Sequence, residues 1–517
     1  DRRYRRGRGD DGGRCDTRPD RRGPQYRLSV TSALAGRGAA RDDLGRWTVS
    51  PGRLSSSGAF VAGWEPADNT PGDHLVVPAL TNAHDHGRGM RTVAFGAGDD
   101  ALEVWIAALG REPATDPYLR AAVAFARMAE AGIAVLNHCH NTADPNRLVS
   151  EAECVARAAR DIGVRVAFAV PVTGRNPLTY GDPGPLLARL PPAQAAALRT
   201  RRARGPAPSE QLAMVEEVAA FEHDNFTVQY GPVGPQWVDD AILEKIAAAS
   251  ARTGRRVHMH LFETRYQKEW AMAAYPDGLL AHLDAIGLLS ERLTVAHGVH
   301  LDDADCALLA DRGVFVSVNM SSNLRLRSGL PPIARFLSHG VRFGLGLDGM
   351  AFDDDEDALR ELRVAWRLAR GWGADDVLSR DRLLDAVWVD GRQAILGSSD
   401  EPAGLTAGAP CDLLALDTAR ISADVLDGCA DPLDLMIARA RAEDVCTLLV
   451  GGRAVVSDGR VTGIDRPAAE AELIAQARAS GAMPPDDDLI ALQNALADYY
   501  RCGCHTHLSA HHEEPTA

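Results

Sequence analysis

The sequence predicts an α/β fold: a (β/α)8 TIM-type barrel with a small β-sandwich domain built from both chain ends. Three observations predict it. Eight short apolar runs between Leu75 and Gly349 alternate with longer Ala/Leu/Arg segments of helical spacing. The runs are continuously apolar rather than alternating, as in parallel strands buried on both faces. Histidines and an aspartate stand at the ends of several runs, and barrel active sites are assembled at the C-terminal ends of strands.

The runs read "LVVPALTNAH", "GIAVLNHCH", "VRVAFAVPV", "FTVQYGPVG", "RRVHMHLFET", "LTVAHGVHL", "VFVSVNMSSN" and "VRFGLGLDG". Helix-like segments such as "DPYLRAAVAFARMAEAG" separate them and stop at Gly132 and Gly254, both suited to a helix C-cap. His84 and His86 then end strand one, and His138 and His140 end strand two. His258 and His260 lie in strand five, His297 ends strand six, and Asp348 ends strand eight. A doubly wound open sheet is the alternative. It lacks a Gly-rich phosphate turn after the first run and keeps strands one and eight apart, whereas closure brings His84 and His86 beside Asp348.

The barrel is assigned to residues 75–384, with residues 26–74 and 385–465 supplying the two parts of the β-sandwich through short β-like stretches with Gly turns. Residues 173–225, between strands three and four, form a long Pro- and Arg-rich insertion that reads as a lid or substrate loop, or as surface decoration. Residues 466–517 are expected to hold a C-terminal helix and a disordered tail. That tail, "RCGCHTHLSAHHEEPTA", carries Cys502, Cys504, His505, His507, His511 and His512, but their spacing matches no standard zinc module. Residues 1–25 are Arg-rich without an apolar segment behind the arginines. They read as a disordered extension or as translated sequence upstream of the true start.

The formal net charge of −15 argues against general nucleic-acid affinity. Nine irregularly spaced cysteines in 517 residues fit a reducing, cytoplasmic compartment better than a disulfide framework. No apolar run approaches the roughly 18 residues of a membrane span. The expected partner is a small-molecule substrate; a homodimer is expected only on base rates.

In an extended strand, residues two apart point to the same side, so His84 and His86 aim two imidazoles at one point. Either His258 or His260 can add a third nitrogen, since both share a face, and Asp348 can add an oxygen. Such a set with an open position suits Zn²⁺ or Fe²⁺, and the metal brings the pKa of bound water to about 7. Glu263, three residues after His260, stands where a general acid/base is needed. Its bland alternative is a helix-start glutamate favoured by the macrodipole. His297 can contact the nucleophile or the substrate, and His300 is already in the loop. The acidic run "FDDDEDALRELR" after strand eight is best read as a solvated helix start.

With these motifs in view, the chain resembles the amidohydrolase superfamily, in its cytosine-deaminase-like and triazine-hydrolase-like (TRZ/ATZ) branch. The resemblance rests on "PALTNAHDH", "VHMHLFET", "VAHGVHL", "SSNLRLRSG", "GLGLDG" and "AGLTAGAPCDLLALD". It implies His84, His86, His260 and Asp348 as ligands of one metal, Glu263 as the proton shuttle and His297 at the nucleophile or substrate. It thereby selects His260 over His258. Binuclear members of the superfamily carry a bridging Lys or Glu at the end of strand four, and "FTVQYGPVGP" has neither, which implies a mononuclear site. The wordings "HDHGRGM" and "NHCHN" depart from the usual pattern. His138 and His140 stand as residues that line the pocket or bind something extra, or as buried structural residues.

The implied function is hydrolytic deamination of an aminated nitrogen heterocycle by a metal-activated hydroxide, with Asp348, His297 and Glu263 as catalytic residues. Selectivity is expected from Gln229, Tyr230, Arg175, Ser322, Asn323, Arg325 and Arg327 at the barrel mouth. One alternative is hydrolysis of an amide, a cyclic amide or a ring substituent at the same site. The alternative of another class is a non-catalytic, metal-stabilised binding protein.

Overall fold

The computed structural model describes residues 34–67, 74–142, 144–175, 178–202, 206–397, 402–426, 428–481 and 487–508. The Arg-rich segment 1–25 and the last residues of the tail, including His511 and His512, lie outside the described residues. Among those described, no helix is long and apolar enough to cross a membrane.

Strands β1 (Ala35–Arg41), β2 (Trp47–Ser57), β3 (Phe60–Glu65) and β4 (His74–Pro78) come first. The barrel strands follow: β5 (Leu80–Asp85), β6 (Ile133–Cys139), β7 (Arg165–Val172), β8 (Phe226–Pro232), β9 (Val257–Leu261), β10 (Leu293–His297), β11 (Phe315–Val318) and β12 (Arg342–Leu345). They pair in sequence order from β5 to β12, all parallel, as in a barrel and unlike a doubly wound sheet. Strand β12 meets β5 where the Asp348 amide donates to the His84 carbonyl at 2.9 Å. Asn82 Oδ1 accepts from the Leu347 amide beside it, also at 2.9 Å. Glycine makes this seam possible: a Cβ on Gly346 would lie 2.3 Å from Asn319 Oδ1 and 2.9 Å from the His84 nitrogen.

The helices obey simple local rules. In Pro117–Glu130, Asp116 accepts the Tyr118 and Leu119 amides, proline occupies the first turn, and Ala122, Phe125 and Met128 bury one face. Gly132 follows in the left-handed region, at φ 88°.

Strands β13 (Leu413–Asp417), β14 (Val445–Val450), β15 (Arg453–Ser457) and β16 (Arg460–Val461) complete a second sheet, in the order β16-β15-β14-β13-β4-β1-β2-β3. Both chain ends therefore contribute, as expected. The sandwich is one continuous sheet curled on itself: Val61 and the segment Gly408–Ala409 exchange backbone hydrogen bonds across the open edge of β3. Leu54, Val61, Val76, Cys411, Leu413 and Leu449 fill the fold between its layers.

Three boundaries differ from the sequence reading. The run "LVVPALTNAH" is two strands, because Pro78 cannot donate a ladder bond and the chain changes sheets at Ala79. Its first half, residues 75–78, belongs to the second sheet. Residues 385–396, assigned to the second part of the β-sandwich, are helical and close the floor of the barrel. Thr81 Oγ1 and Gln229 Nε2 bind the Val387 and Ile395 carbonyls there, at 2.8 and 2.7 Å. Within 173–225, the helix Pro208–Ala219 packs on β7 and β8 as an ordinary barrel helix, so the insertion ends before it.

The C-terminal segment holds two helices, Arg466–Ala479 and Asp487–Arg501, followed by a turn at Cys504–Thr506. Cys502 and Cys504 form a disulfide, while Cys139, Cys306, Cys411 and Cys446 are free thiols.

Candidate metal centre and active site

The C-terminal ends of the barrel strands bring His84, His86, His260, His297 and Asp348 together. Ligating atoms of His84, His86 and Asp348 lie within 4.8 Å of one another, as do those of His84, His260 and His297. His84 Nε2 is 3.1 Å and His86 Nε2 3.2 Å from Asp348 Oδ1. Each of the three strand-end imidazoles is held from behind through Nδ1. His84 Nδ1 meets His258 Nε2 at 2.9 Å, His86 Nδ1 meets the Cys139 carbonyl at 2.9 Å, and His260 Nδ1 meets the Val233 carbonyl at 2.7 Å. A carbonyl can only accept, so His86 and His260 carry their proton on Nδ1 and keep the Nε2 lone pair free. His84 Nε2 is buried and makes no well-formed hydrogen bond, although Asp348 Oδ1 lies 3.1 Å away. Imidazole nitrogens and a carboxylate converging in this way fit one divalent metal ion.

His258, which spacing left level with His260, lies behind His84, its Nε2 on His84 Nδ1. The ends of the strands are strained to aim these groups. Phe262, His297 and Asp348 have φ of 48°, 74° and 60°, in the left-handed region that non-glycine residues rarely adopt.

Glu263 sits at the edge of the cluster, Oε2 3.6 Å from His297 Nε2. Its Oε1 lies 3.3 Å from Ser328 Oγ, and its amide donates to Gln267 Oε1 at 2.7 Å. Burial, then the negative charges of Asp348 and Glu103, push its carboxyl well above the ordinary carboxylate range. His297 Nδ1 meets Asn323 Oδ1 at 2.8 Å. Burial brings its pKa down to about 4, so the ring is neutral at physiological pH, with Nε2 turned toward Glu263 and Asp348. Ser322 Oγ donates to Asp348 Oδ2 at 2.6 Å.

The family model described as "Amidohydrolase family" matches residues 75–455. The chain belongs to the amidohydrolase family. It is 30% identical over 465 residues to the 8-oxoguanine deaminase of Pseudomonas aeruginosa, an alignment covering 85% of this chain and 94% of that one. It is 27% identical over 426 residues to the 5-methylthioadenosine/S-adenosylhomocysteine deaminase of Moorella thermoacetica, covering 80% and 89%. Its fold matches the zinc-containing atrazine chlorohydrolase TrzN of Arthrobacter aurescens at a TM-score of 0.70, with 20% identity over 86% of this chain and 99% of that one.

Other expected residues of this amidohydrolase fall elsewhere. His138 and His140 are buried outside the cluster: His138 Nε2 meets His140 Nδ1 at 3.1 Å, and His140 Nε2 meets Glu151 at 2.9 Å. Of the mouth residues, Ser322 and Asn323 do touch the site. Gln229 points down to Asn137 and Ile395, and Tyr230 is in the core. Arg175, Arg325 and Arg327 pair with rim aspartates, Asp239 and Asp240, Asp99 and Asp100. His300 binds the Ser328 carbonyl.

Asp85 explains the unusual "HDH". Its buried carboxylate accepts from Asn82 Nδ2 and from the Gly87 and Gly349 amides, at 2.8, 2.7 and 3.1 Å, tying the end of strand one to the end of strand eight. The departure from the family wording was the signal for it.

Proposed function

We propose that this amidohydrolase is a mononuclear, metal-dependent aminohydrolase that deaminates an aminated nitrogen heterocycle. His84, His86, His260 and Asp348 would hold the metal, with zinc favoured by the fold relative that contains it and iron compatible with the same donors. A metal held there would supply Lewis acidity, lowering the pKa of water enough to make a nucleophile available at neutral pH.

The observation that carries the reading is Glu263. It is a carboxyl whose burial raises its pKa well above the ordinary carboxylate range, 3.6 Å from His297 Nε2 at the margin of the donor cluster. His297, its ring fixed through Asn323, offers Nε2 as acceptor to orient the attacking water. Asp348, fixed by Ser322, holds its carboxylate toward the same point. Glu263 relays protons from the water: one ends on the ring nitrogen, the other on the departing amine. A C–O bond forms at the sp² carbon, the C–NH₂ bond breaks, and ammonia leaves.

The named activities of the relatives, on 8-oxoguanine and on methylthioadenosine or S-adenosylhomocysteine, direct the search to aminopurines. The test is ammonia release from aminopurines and their nucleosides, pyrimidines, pterins and triazines by zinc- and iron-loaded protein. Turnover lost in Glu263→Gln supports the reading. Turnover of the same substrate fully retained in Glu263→Gln would sink the proton-shuttle role. Silence across the panel, with about one metal bound per chain, would move the weight to amide or ring-substituent hydrolysis.

A further inference from the structure

Glu103 is a second buried carboxylate beside Glu263, and the mechanism above gives it no task. It lies in the helix Leu102–Ala108, within the long connection after β5, and its side chain is enclosed. Burying a carboxylate is costly unless specific partners hold it. Its Oε1 accepts from Tyr180 OH at 2.8 Å and from Thr264 Oγ1. Thr264 directly follows Glu263 and caps the helix Arg265–Ala274. Gln267, one turn into that helix, binds the Glu263 amide through Oε1, and its Nε2 reaches Tyr180 OH at 3.5 Å.

These bonds form a closed loop. Glu103 holds the residue after Glu263, Gln267 holds the Glu263 backbone, and Tyr180 joins Glu103 to Gln267. The loop spans a turn that needs holding, because Phe262 on the other side of Glu263 has a φ of 48°. Tyr180 is itself fixed from outside the barrel. Its ring centroid is 5.2 Å from that of Tyr500, and the Tyr499 hydroxyl donates to the Asp182 carbonyl at 2.9 Å. The C-terminal helix therefore braces the insertion loop, and the loop braces the turn that carries Glu263.

We propose that Glu103 is a positioning residue for Glu263: through Thr264, Tyr180 and Gln267 it holds the Glu263 carboxylate toward His297. The proposal rests on the reading of Glu263 as proton shuttle. A misplacement of about 1 Å at a reacting group can cost around 100-fold in rate.

The test compares Glu103→Leu, Glu103→Gln and Tyr180→Phe with Glu263→Gln in the zinc-loaded full chain, by steady-state kinetics and crystallography. For Glu103→Leu, kcat is expected to fall about 10- to 100-fold with KM and zinc content unchanged. Glu103→Gln, which keeps an acceptor for Thr264 and Tyr180, should recover most of the loss. The crystal structure of Glu103→Leu should show the Glu263 carboxyl displaced from His297. Unchanged kcat in Glu103→Leu, with Glu263→Gln inactive, would overturn the positioning role and leave the shuttle standing. Full activity in Glu263→Gln would instead remove the shuttle itself. With no substrate in hand the crystal structure decides, since a Glu263 that stays in place overturns the proposal. Should Glu103→Leu fail to fold, Tyr180→Phe carries the same readouts, with a smaller fall expected.

Discussion

The rings of His84 and His258 lie stacked, 8° from parallel with centroids 5.0 Å apart, and their Nδ1 and Nε2 atoms meet at 2.9 Å. With the shared proton on His84 Nδ1, His84 keeps its Nε2 lone pair for the metal. His258 thus does for His84 what backbone carbonyls do for His86 and His260. Removing such a partner commonly costs about 10- to 100-fold in metal affinity. His258→Phe is therefore expected to weaken zinc binding by that factor in a competitive chelator titration. His258→Gln, which can still accept from His84, should fall between it and wild type. Wild-type affinity in His258→Phe would show that the pair does not set the tautomer.

Glu263→Gln separates binding from chemistry. The residue lies outside the proposed ligand set, so zinc content and the zinc-induced rise in Tm are expected to match wild type. General acid/base catalysis is worth about 10²- to 10⁴-fold, and kcat should drop within that range. Loss of zinc along with activity would mean that Glu263 helps to hold the metal. The stabilisation by zinc should follow mass action, about 2.7 kcal/mol at a hundred times the dissociation constant. Chelation should remove it.

Much of the site was legible because strand periodicity is geometric. Two-residue spacing placed His84 with His86, and the end of a barrel strand is where function gathers. Depth along a strand is not written in the same way. Gln229, expected at the barrel mouth, instead reaches the floor at Ile395. The rim arginines looked like pocket residues because nothing local shows that Arg325 meets Asp99, 226 positions away. The segment "AVWVD" falls in the stretch assigned to the β-sandwich, yet beneath the barrel it is helical. Glu103 carried no local signal at all, since its partners come from two other connections.

Acid should destabilise the fold, with a sign set by its buried histidines. Burial keeps the pKa of His138 well below the ordinary value of 6.5 and lowers that of His140 as well, though Glu151 opposes the shift in His140. Both therefore take up protons less readily in the folded protein than in the unfolded chain, which does so near 6.5. A depressed folded pKa contributes stability that is present above 6.5 and lost as pH falls. Each such proton steepens the loss by about 1.4 kcal/mol per pH unit. Urea midpoints are expected to hold from pH 8 to 7 and to fall progressively below 6.5. His138→Asn should lower the midpoint at pH 7.5 but flatten the fall. An equal slope in the variant would show that His138 is not a source of it.

Gly87 is where the metal centre and the His138 pair meet. It follows His86 directly, has a φ of 56°, and a Cβ there would lie 2.4 Å from His138 Nδ1. Alanine faces two penalties: about 1–2 kcal/mol for the left-handed backbone, and about 1–3 kcal/mol for overpacking. His138 has little room to yield, stacked on Phe168 with ring centroids 5.4 Å apart and tied to His140. The strain is therefore expected to be relieved partly by moving the chain at His86. Gly87→Ala should lower Tm by several degrees and weaken zinc binding together. A second variant, Gly87→Ala with His138→Ala, removes the clash but not the backbone cost, and should restore zinc affinity more than it restores Tm. If the double variant regains neither, the contact with His138 is not what Gly87 is there to avoid.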